Sequence, residues 1–450
     1  MKFSKTLFIS ILAALVLSAV SCGDENGPVN PVEPDTPGTV IPGNTMVVYE
    51  ANPKVFASSN SLKVIEDRLD DIRDLGVNVV WLMPIQPIGS DKTSVGSPYC
   101  IKDFKAVNPS YGTIDDLKSL VTKAHSMDMR VILDWIANHT SWDNPWITEH
   151  PDWYTKDANG NIISPAGMGW NDVADLNFNS NELRTNMIDA MTYWVKEADV
   201  DGFRCDYADG VPMDFWKEAL KAVTSLKKEA VLLAEGSELG LLDCGFQMLY
   251  GWDFQSKLAS VFDGRMDVSR LYESHKDEYK ELAEGKQRLR FTTNHDKAMT
   301  EGSPISMYKG ERGAMSAFVI SAYMGGIPLI YSSQEIGYAS TINFFTNVLM
   351  DWDSNPSYTE EYRKVMAAYH ESASLRGEEP VLYNTGDIAS IYYKPGLFVV
   401  ANTSGSAVQV KTPMERAGEK AVDMMTGTSE SIPVALSLEP YQYKIWKIEK

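Results

Sequence analysis

Eight short apolar runs, each of the length and type of a buried strand, punctuate the chain between residues 46 and 331. They are MVVYE (46–50), VNVVWLMP (77–84), VILDWI (131–136), GFRCD (202–206), VLLAE (231–235), FQMLY (246–250), RFTTN (290–294) and IPLIY (327–331). Near-continuous hydrophobicity marks strands covered on both faces, the condition of a parallel sheet. Amphipathic stretches at Leu62–Leu75, Ile114–Met127, Glu182–Ala198, Asp214–Lys227 and Gly313–Tyr323 lie between them and supply crossover helices. Eight strands in this rhythm predict an α/β fold, the (β/α)8 TIM barrel.

Three carboxylates sit at the ends of such runs. Asp206 closes DGFRCD, Glu235 closes VLLAE and Asp296 closes FTTNHD, with gaps of 29 and 61 positions. A barrel of this kind spends about 31 residues per strand–helix unit, so the gaps fit one unit and two. Strand C-termini converge at one mouth, where barrel enzymes keep their chemistry. Side chains alternate along a strand, so Arg204 and Asp206 share a face that Cys205 does not. A guanidinium beside a carboxylate favours the ionised form that a nucleophile needs. Glu235 follows an apolar run, surroundings that raise a carboxyl pKa and suit it to general-acid work. Taken singly, Arg204–Asp206 reads equally as a structural ion pair and Glu235 as a strand-end cap. Three carboxylates at barrel spacing point to an enzyme.

With DWIANH (134–139), NHD (294–296), GIPLIY (326–331) and GSPYCIKDFKAVNPSYGT (96–113), these strings resemble the α-amylase family, glycoside hydrolase family 13, across residues 46–450. The resemblance implies a barrel with a small domain inserted after strand 3 and a C-terminal antiparallel β-sandwich. It maps Asp206 onto the nucleophile, Glu235 onto the acid/base and Asp296 onto the carboxylate that stabilises the transition state. His139 and His295 match the two histidines that hydrogen-bond the sugar in the cleavage subsite. Tyr99 matches the aromatic residue stacking on that sugar, Arg204 the partner of the nucleophile, and Asp134 a more structural barrel residue. The chemistry implied requires no cofactor. A structural calcium is common in the family, and Asn138 matches one oxygen ligand; the other ligands stay open.

The implied activity is retaining hydrolysis of α-1,4-glucosidic bonds in starch-type polymers or maltooligosaccharides. The same fold also hosts transglycosylases and debranching enzymes, and a catalytically silent glucan-binding lipoprotein is the rival from another class. Intact Asp206, Glu235 and Asp296 argue against silence. Two strings depart from the common family pattern. Asp209-Gly210 stands where many members carry Lys-His on the leaving-group side, and Ser97-Pro98-Tyr99-Cys100 where many carry His-Gly-Tyr-Asp.

The expected boundaries place the barrel at 46–378, its insertion at about 140–177 and the sandwich at 379–450. The insertion is rich in Trp, Asp, Asn, Gly and Pro and too long for an ordinary loop. Its Trp142, Trp146, Trp153 and Trp170 offer flat faces for sugar rings or fill the insertion's own core. A net charge of −20 repels phosphate backbones, which excludes nucleic acid as a natural partner and is compatible with a neutral polysaccharide. Cys100, Cys205 and Cys244 have no metal-like spacing and imply no disulfide framework.

At the N-terminus, Lys2 and Lys5 precede an apolar run from Leu7 to Val20, the pattern of a signal peptide over 1–21. The run ends in LSAVSC (17–22), which resembles a bacterial lipoprotein cleavage site with Cys22 as the lipidated residue. Residues 22–45 are rich in proline, glycine and acids, and read as a flexible tether. Gly23, Asp24 and Glu25 resemble export tags of gram-negative lipoproteins. The expected location is the gram-negative cell envelope, with the chain held to the membrane by lipid at the outer-membrane surface.

Overall fold

The structure, a computed structural model, describes residues 43–91 and 96–449. The signal peptide, Cys22 and the tether up to residue 42 lie outside the described residues. No helix among the described residues is long and apolar enough to cross a membrane.

Among the described residues, ten strands precede residue 332: β1 Val48–Ala51, β2 Val79–Leu82, β3 Arg130–Ile136, β4 His139–Ser141, β5 Val173–Asp175, β6 Gly202–Asp206, β7 Val231–Ala234, β8 Met248–Tyr250, β9 Gln287–Arg290 and β10 Ile327–Tyr331. Eight of them close into a barrel in the order β1, β2, β3, β6, β7, β8, β9, β10 and back to β1. Every neighbouring pair is parallel. β4 and β5 form a separate antiparallel pair that frames the insertion.

Strand parity sorts the side chains into two cores. Val48, Val79, Trp81, Ile132, Val231, Leu233, Met248, Tyr250, Leu289 and Leu329 fill the barrel interior. Their neighbours Val47, Val80, Leu133, Phe203, Cys205, Leu232, Leu249 and Ile330 face the surrounding helices. Continuing the inward parity toward the strand C-termini reaches Glu50, Asp134, Arg204, Asp206, Glu235 and Tyr250. Apolar layers therefore end in a polar top layer. Gly202 opens β6 at φ +146°, and a Cβ there would lie 2.0 Å from the Val231 carbonyl oxygen. Only glycine lets β6 approach β7 this closely.

The structure corrects several expected boundaries. β9 ends at Arg290, so only the first residue of RFTTN is strand. Asn294 then caps a helix at His295–Thr300, its side chain accepting from Lys297 N at 2.9 Å. Asp296 consequently stands in a helix's first turn instead of at a strand end. The β-branched Thr292 and Thr293 suggest strand, but the Asn cap and the acidic first turn favour helix initiation. Glu235 lies one residue beyond β7. The stretch read as one helix over Leu62–Leu75 is two, Ser61–Asp67 and Leu69–Asp74. Helices at Trp252–Phe262, Ser269–Tyr279 and Pro356–Glu371 complete the outer ring.

The C-terminal strands are β11 Val381–Thr385, β12 Ile388–Tyr393, β13 Leu397–Asn402, β14 Val408–Lys411, β15 Lys420–Asp423, β16 Thr428–Ser431, β17 Ala435–Leu438 and β18 Tyr443–Ile448. Six form an antiparallel sheet in the order β11, β12, β13, β18, β15, β16, and β14 pairs with β17. Alternation again decides what each face covers. Ala389, Ile391, Tyr393, Leu397, Val399 and Ala401 join the large core of the barrel helices. Ile388, Tyr392, Phe398, Val400 and Trp446 pack with Leu436 and Leu438 in the sandwich's own core.

Candidate active site

The site is organised around one cation. Arg204 is wholly buried, and its Nη1 donates to Asp134 Oδ1 at 2.8 Å and to Asp206 Oδ1 at 2.7 Å. Its Nε donates to Tyr250 Oη at 3.1 Å, and its guanidinium carbon lies 4.9 Å from the Trp81 ring centre. Arg204 Nη2 is 2.8 Å from Glu235 Oε2, but out of line for a hydrogen bond. Three carboxylates thus share one guanidinium, and such a cluster does not ionise completely at neutral pH.

Burial raises the Glu235 carboxyl to about 7, against the pull of Arg204 and with the push of Asp206 and Asp296. Burial also lifts Asp206, and Arg204 pulls it back toward the ionised state, as the sequence pattern suggests. Asp206 accepts an aligned guanidinium hydrogen bond, whereas Glu235 does not. The geometry therefore favours the ionised form at Asp206 and the protonated form at Glu235. The Glu235 carboxyl is aimed by the chain itself, because Tyr207 N donates to its Oε2 at 2.9 Å.

A second chain of contacts runs across the barrel mouth. His295 Nδ1 pairs with the fully buried Glu50, and its Nε2 meets Tyr99 Oη at 2.8 Å. Tyr99 Oη in turn donates to Asp134 Oδ2 at 3.1 Å. Burial would lower the His295 pKa, but Asp296 and Glu50 raise it to about 9. His295 is therefore a cation at neutral pH, donating from both ring nitrogens. Its Nε2 also lies 3.4 Å from Asp296 Oδ1. His139 behaves oppositely: burial lowers it to about 4, so it is neutral, and its Nε2 donates to the Tyr99 carbonyl at 3.2 Å.

Asp206, Glu235, Asp296, Tyr99, His139 and His295 line one cleft of about 610 Å³. Arg204 and Asp134 lie beneath them. Asp296 is more open than Asp206 and Glu235, with 43% of its side chain exposed against 12% and 19%. The insertion's tryptophans divide between the two readings. Trp146 stacks with Phe104 and meets Trp153 edge-on, filling core. Trp142 is partly buried against the same core. Trp170 faces the cleft and contacts His139 and Tyr207 edge-on.

Sequence reasoning missed Glu50, Tyr207, Tyr250 and Phe344. Glu50 closes MVVYE as Glu235 closes VLLAE, so the same strand-end signal was present. Phe344 comes from a loop far along the chain, and its contact with His295 at 5.1 Å has no local signature. Among the described residues, no three or more His, Cys, Asp or Glu side chains converge as metal ligands. The Asn138 backbone carbonyl accepts from Leu176 N at 3.0 Å. The Asn138 side chain is buried beside His139.

Known proteins share this fold. An alpha-amylase from Dictyoglomus thermophilum (Alpha-amylase 3) is 27% identical over 329 residues, 65% of this chain and 64% of that protein. The chain thus spans less than two thirds of that relative's length. A crystal structure of an alpha-amylase from Lactobacillus plantarum superposes with a TM-score of 0.80 at 30% identity, covering 90% of this chain and 99% of the other. The noncanonic maltogenic alpha-amylase of Thermotoga neapolitana shares the fold with a TM-score of 0.81 at 24% identity, over 90% of this chain and 99% of its own. Residues 50–162 and 167–376 match the catalytic domain of the alpha-amylase family, and the chain belongs to that family.

Proposed function

We propose that the protein is a retaining α-glucan hydrolase cleaving α-1,4-glucosidic bonds in maltooligosaccharides or starch-type polymers. The observation that carries this reading is the pairing of Asp206 and Glu235 on one buried guanidinium at the floor of the cleft. In the first step an Asp206 carboxylate oxygen attacks the anomeric carbon. The glycosidic carbon–oxygen bond breaks, and Glu235 gives its proton to the departing oxygen. In the second step water attacks the same carbon and passes a proton to Glu235, and the Asp206 ester is released. Asp296 and the cationic His295 face the sugar whose ring acquires charge, and neutral His139 and Tyr99 hold its hydroxyls and face.

The test is the anomer first released from maltotetraose, followed by proton NMR before mutarotation. The α-anomer is expected, and an initial β-anomer would exclude direct attack by Asp206. Asp206→Asn, which keeps the side chain's shape, should lose activity on the order of 10⁴-fold while its circular dichroism stays unchanged.

The sequence also supports an anchor. Residues 17–22 and the tether that follows favour a chain lipidated at Cys22 and held to a gram-negative envelope membrane. Several acyl chains on one residue bind a bilayer firmly, whereas one is marginal. Full-length protein should therefore sediment with membranes and Cys22→Ala should move to the soluble fraction; no difference between them would discard the anchor.

A further inference from the structure

We infer that Tyr207, with Trp170, forms the platform for the sugar on the leaving-group side of the scissile bond, and so sets the enzyme's preference for a glucan over a smaller leaving group. This rests on the hydrolytic reading above.

Five observations converge on Tyr207. It follows Asp206 directly and lines the cleft. Its backbone stands at φ +41°, a left-handed conformation that a side chain this large seldom adopts. That turn aims its N–H at Glu235 Oε2, at 2.9 Å, and sends its ring across Gly210. A Cβ at Gly210 would lie 2.1 Å from Tyr207 Cε1, so the ring position requires the glycine. Its ring and the Trp170 ring form a T-shaped pair at a centroid distance of 5.1 Å and an interplanar angle of 81°.

The neighbouring residue holds the same segment in place. Asp209 Oδ2 accepts from Ser237 N at 2.9 Å and from Ser237 Oγ at 3.2 Å, and its Oδ1 accepts from Glu238 N at 3.2 Å. The carboxylate in the Asp209-Gly210 departure is thus committed to the loop beyond Glu235. Gly210 makes room for an aromatic ring. The departure has exchanged charged side chains reaching for a substrate for a braced aromatic corner.

Chemistry decides which sugar this corner meets. Glu235 must face the oxygen that departs, so the leaving sugar lies against Glu235, beside the residue whose N–H grips it. Two partly buried rings nearly at right angles offer an apolar surface for the C–H face of a pyranose while its hydroxyls stay in water.

The discriminating experiment compares maltotetraose with α-maltosyl fluoride, whose leaving group cannot occupy the platform. Tyr207→Ala and Trp170→Ala should each lower kcat/KM for maltotetraose by about threefold to tenfold, mainly through KM. Both should lower kcat/KM for the fluoride far less, so that the ratio between the two substrates moves by about threefold or more, and Tyr207→Phe should keep the wild-type ratio. Equal losses on the two substrates would overturn the proposal, because Tyr207 would then act through Glu235 or the fold. Undiminished cleavage of maltotetraose by both alanine variants would overturn it as well, with the hydrolytic reading intact. A wild-type enzyme inert toward both substrates would instead remove the hydrolytic reading and this proposal with it.

Discussion

Glu235 shows how one side chain receives a role from its surroundings. Burial holds its pKa at about 7, and the aligned Arg204 hydrogen bond goes to Asp206 instead. A group whose pKa is raised keeps its proton up to that value and loses it above. As the acid of the first step, Glu235 must be protonated, so kcat/KM for maltotetraose should fall as pH rises through about 7. Fluoride leaves without a proton, so kcat/KM for α-maltosyl fluoride should show no such limb. A maltotetraose limb at the ordinary glutamate value of about 4.3 would remove Glu235 from the acid role. The local string VLLAE already pointed to an apolar setting. What the string does not contain is the distribution of one cation among Asp134, Asp206 and Glu235, which come from three separate strands and their ends.

At the scale of elements, parity along the strands carries most of the design. Inward positions are apolar until the last residue or two, which carry the chemistry. Parity survives only if neighbouring strands keep their register, and Gly202 is where β6 is pressed against β7. Gly202→Ala should cost about 3 kcal/mol or more, because the clashing atom is the backbone oxygen of Val231 and cannot rotate away. Thermal unfolding followed by circular dichroism would measure it, and an unchanged Tm would show that β6 has slack. Elements were legible where periodicity was long, as in Ile114–His125 and Asn181–Ala198. They were misread where capping competed with propensity, as at Thr292–Asp296. There the Asn294 cap turns a strand-like string into a helix start and moves Asp296 off the strand that was expected to hold it.

For the whole molecule, the C-terminal strands are part of the barrel's packing. One face of β12 and β13 completes the core over the helix Glu311–Tyr323, where Tyr393 Oη donates to the Tyr323 carbonyl at 2.9 Å and Ser316 Oγ to the Asn402 carbonyl at 3.1 Å. Removing residues 379–450 would take away Ile391, Leu397 and Val399 and bare the apolar side chains of the helix Glu311–Tyr323 that they cover, each large side chain worth about 1.5–3 kcal/mol when buried. The shortened chain should be insoluble or markedly less heat-stable. A soluble 44–378 chain with unchanged Tm would show that the sheet is a separable module.

The eightfold rhythm of apolar runs, their parity and the carboxylates at their ends were determined by the sequence alone, because strand burial and side-chain alternation are local properties written into successive residues. The same holds for the insertion and for the change to antiparallel patterning after the last barrel helix. The tertiary structure alone decided the partners of Glu50, the division of the tryptophans between core and cleft, and the placing of Phe344 against His295. It also decided how one guanidinium is shared among three carboxylates. Each of those outcomes depends on contacts between residues tens to hundreds of positions apart, and on a low-dielectric interior that exists only once the barrel has closed.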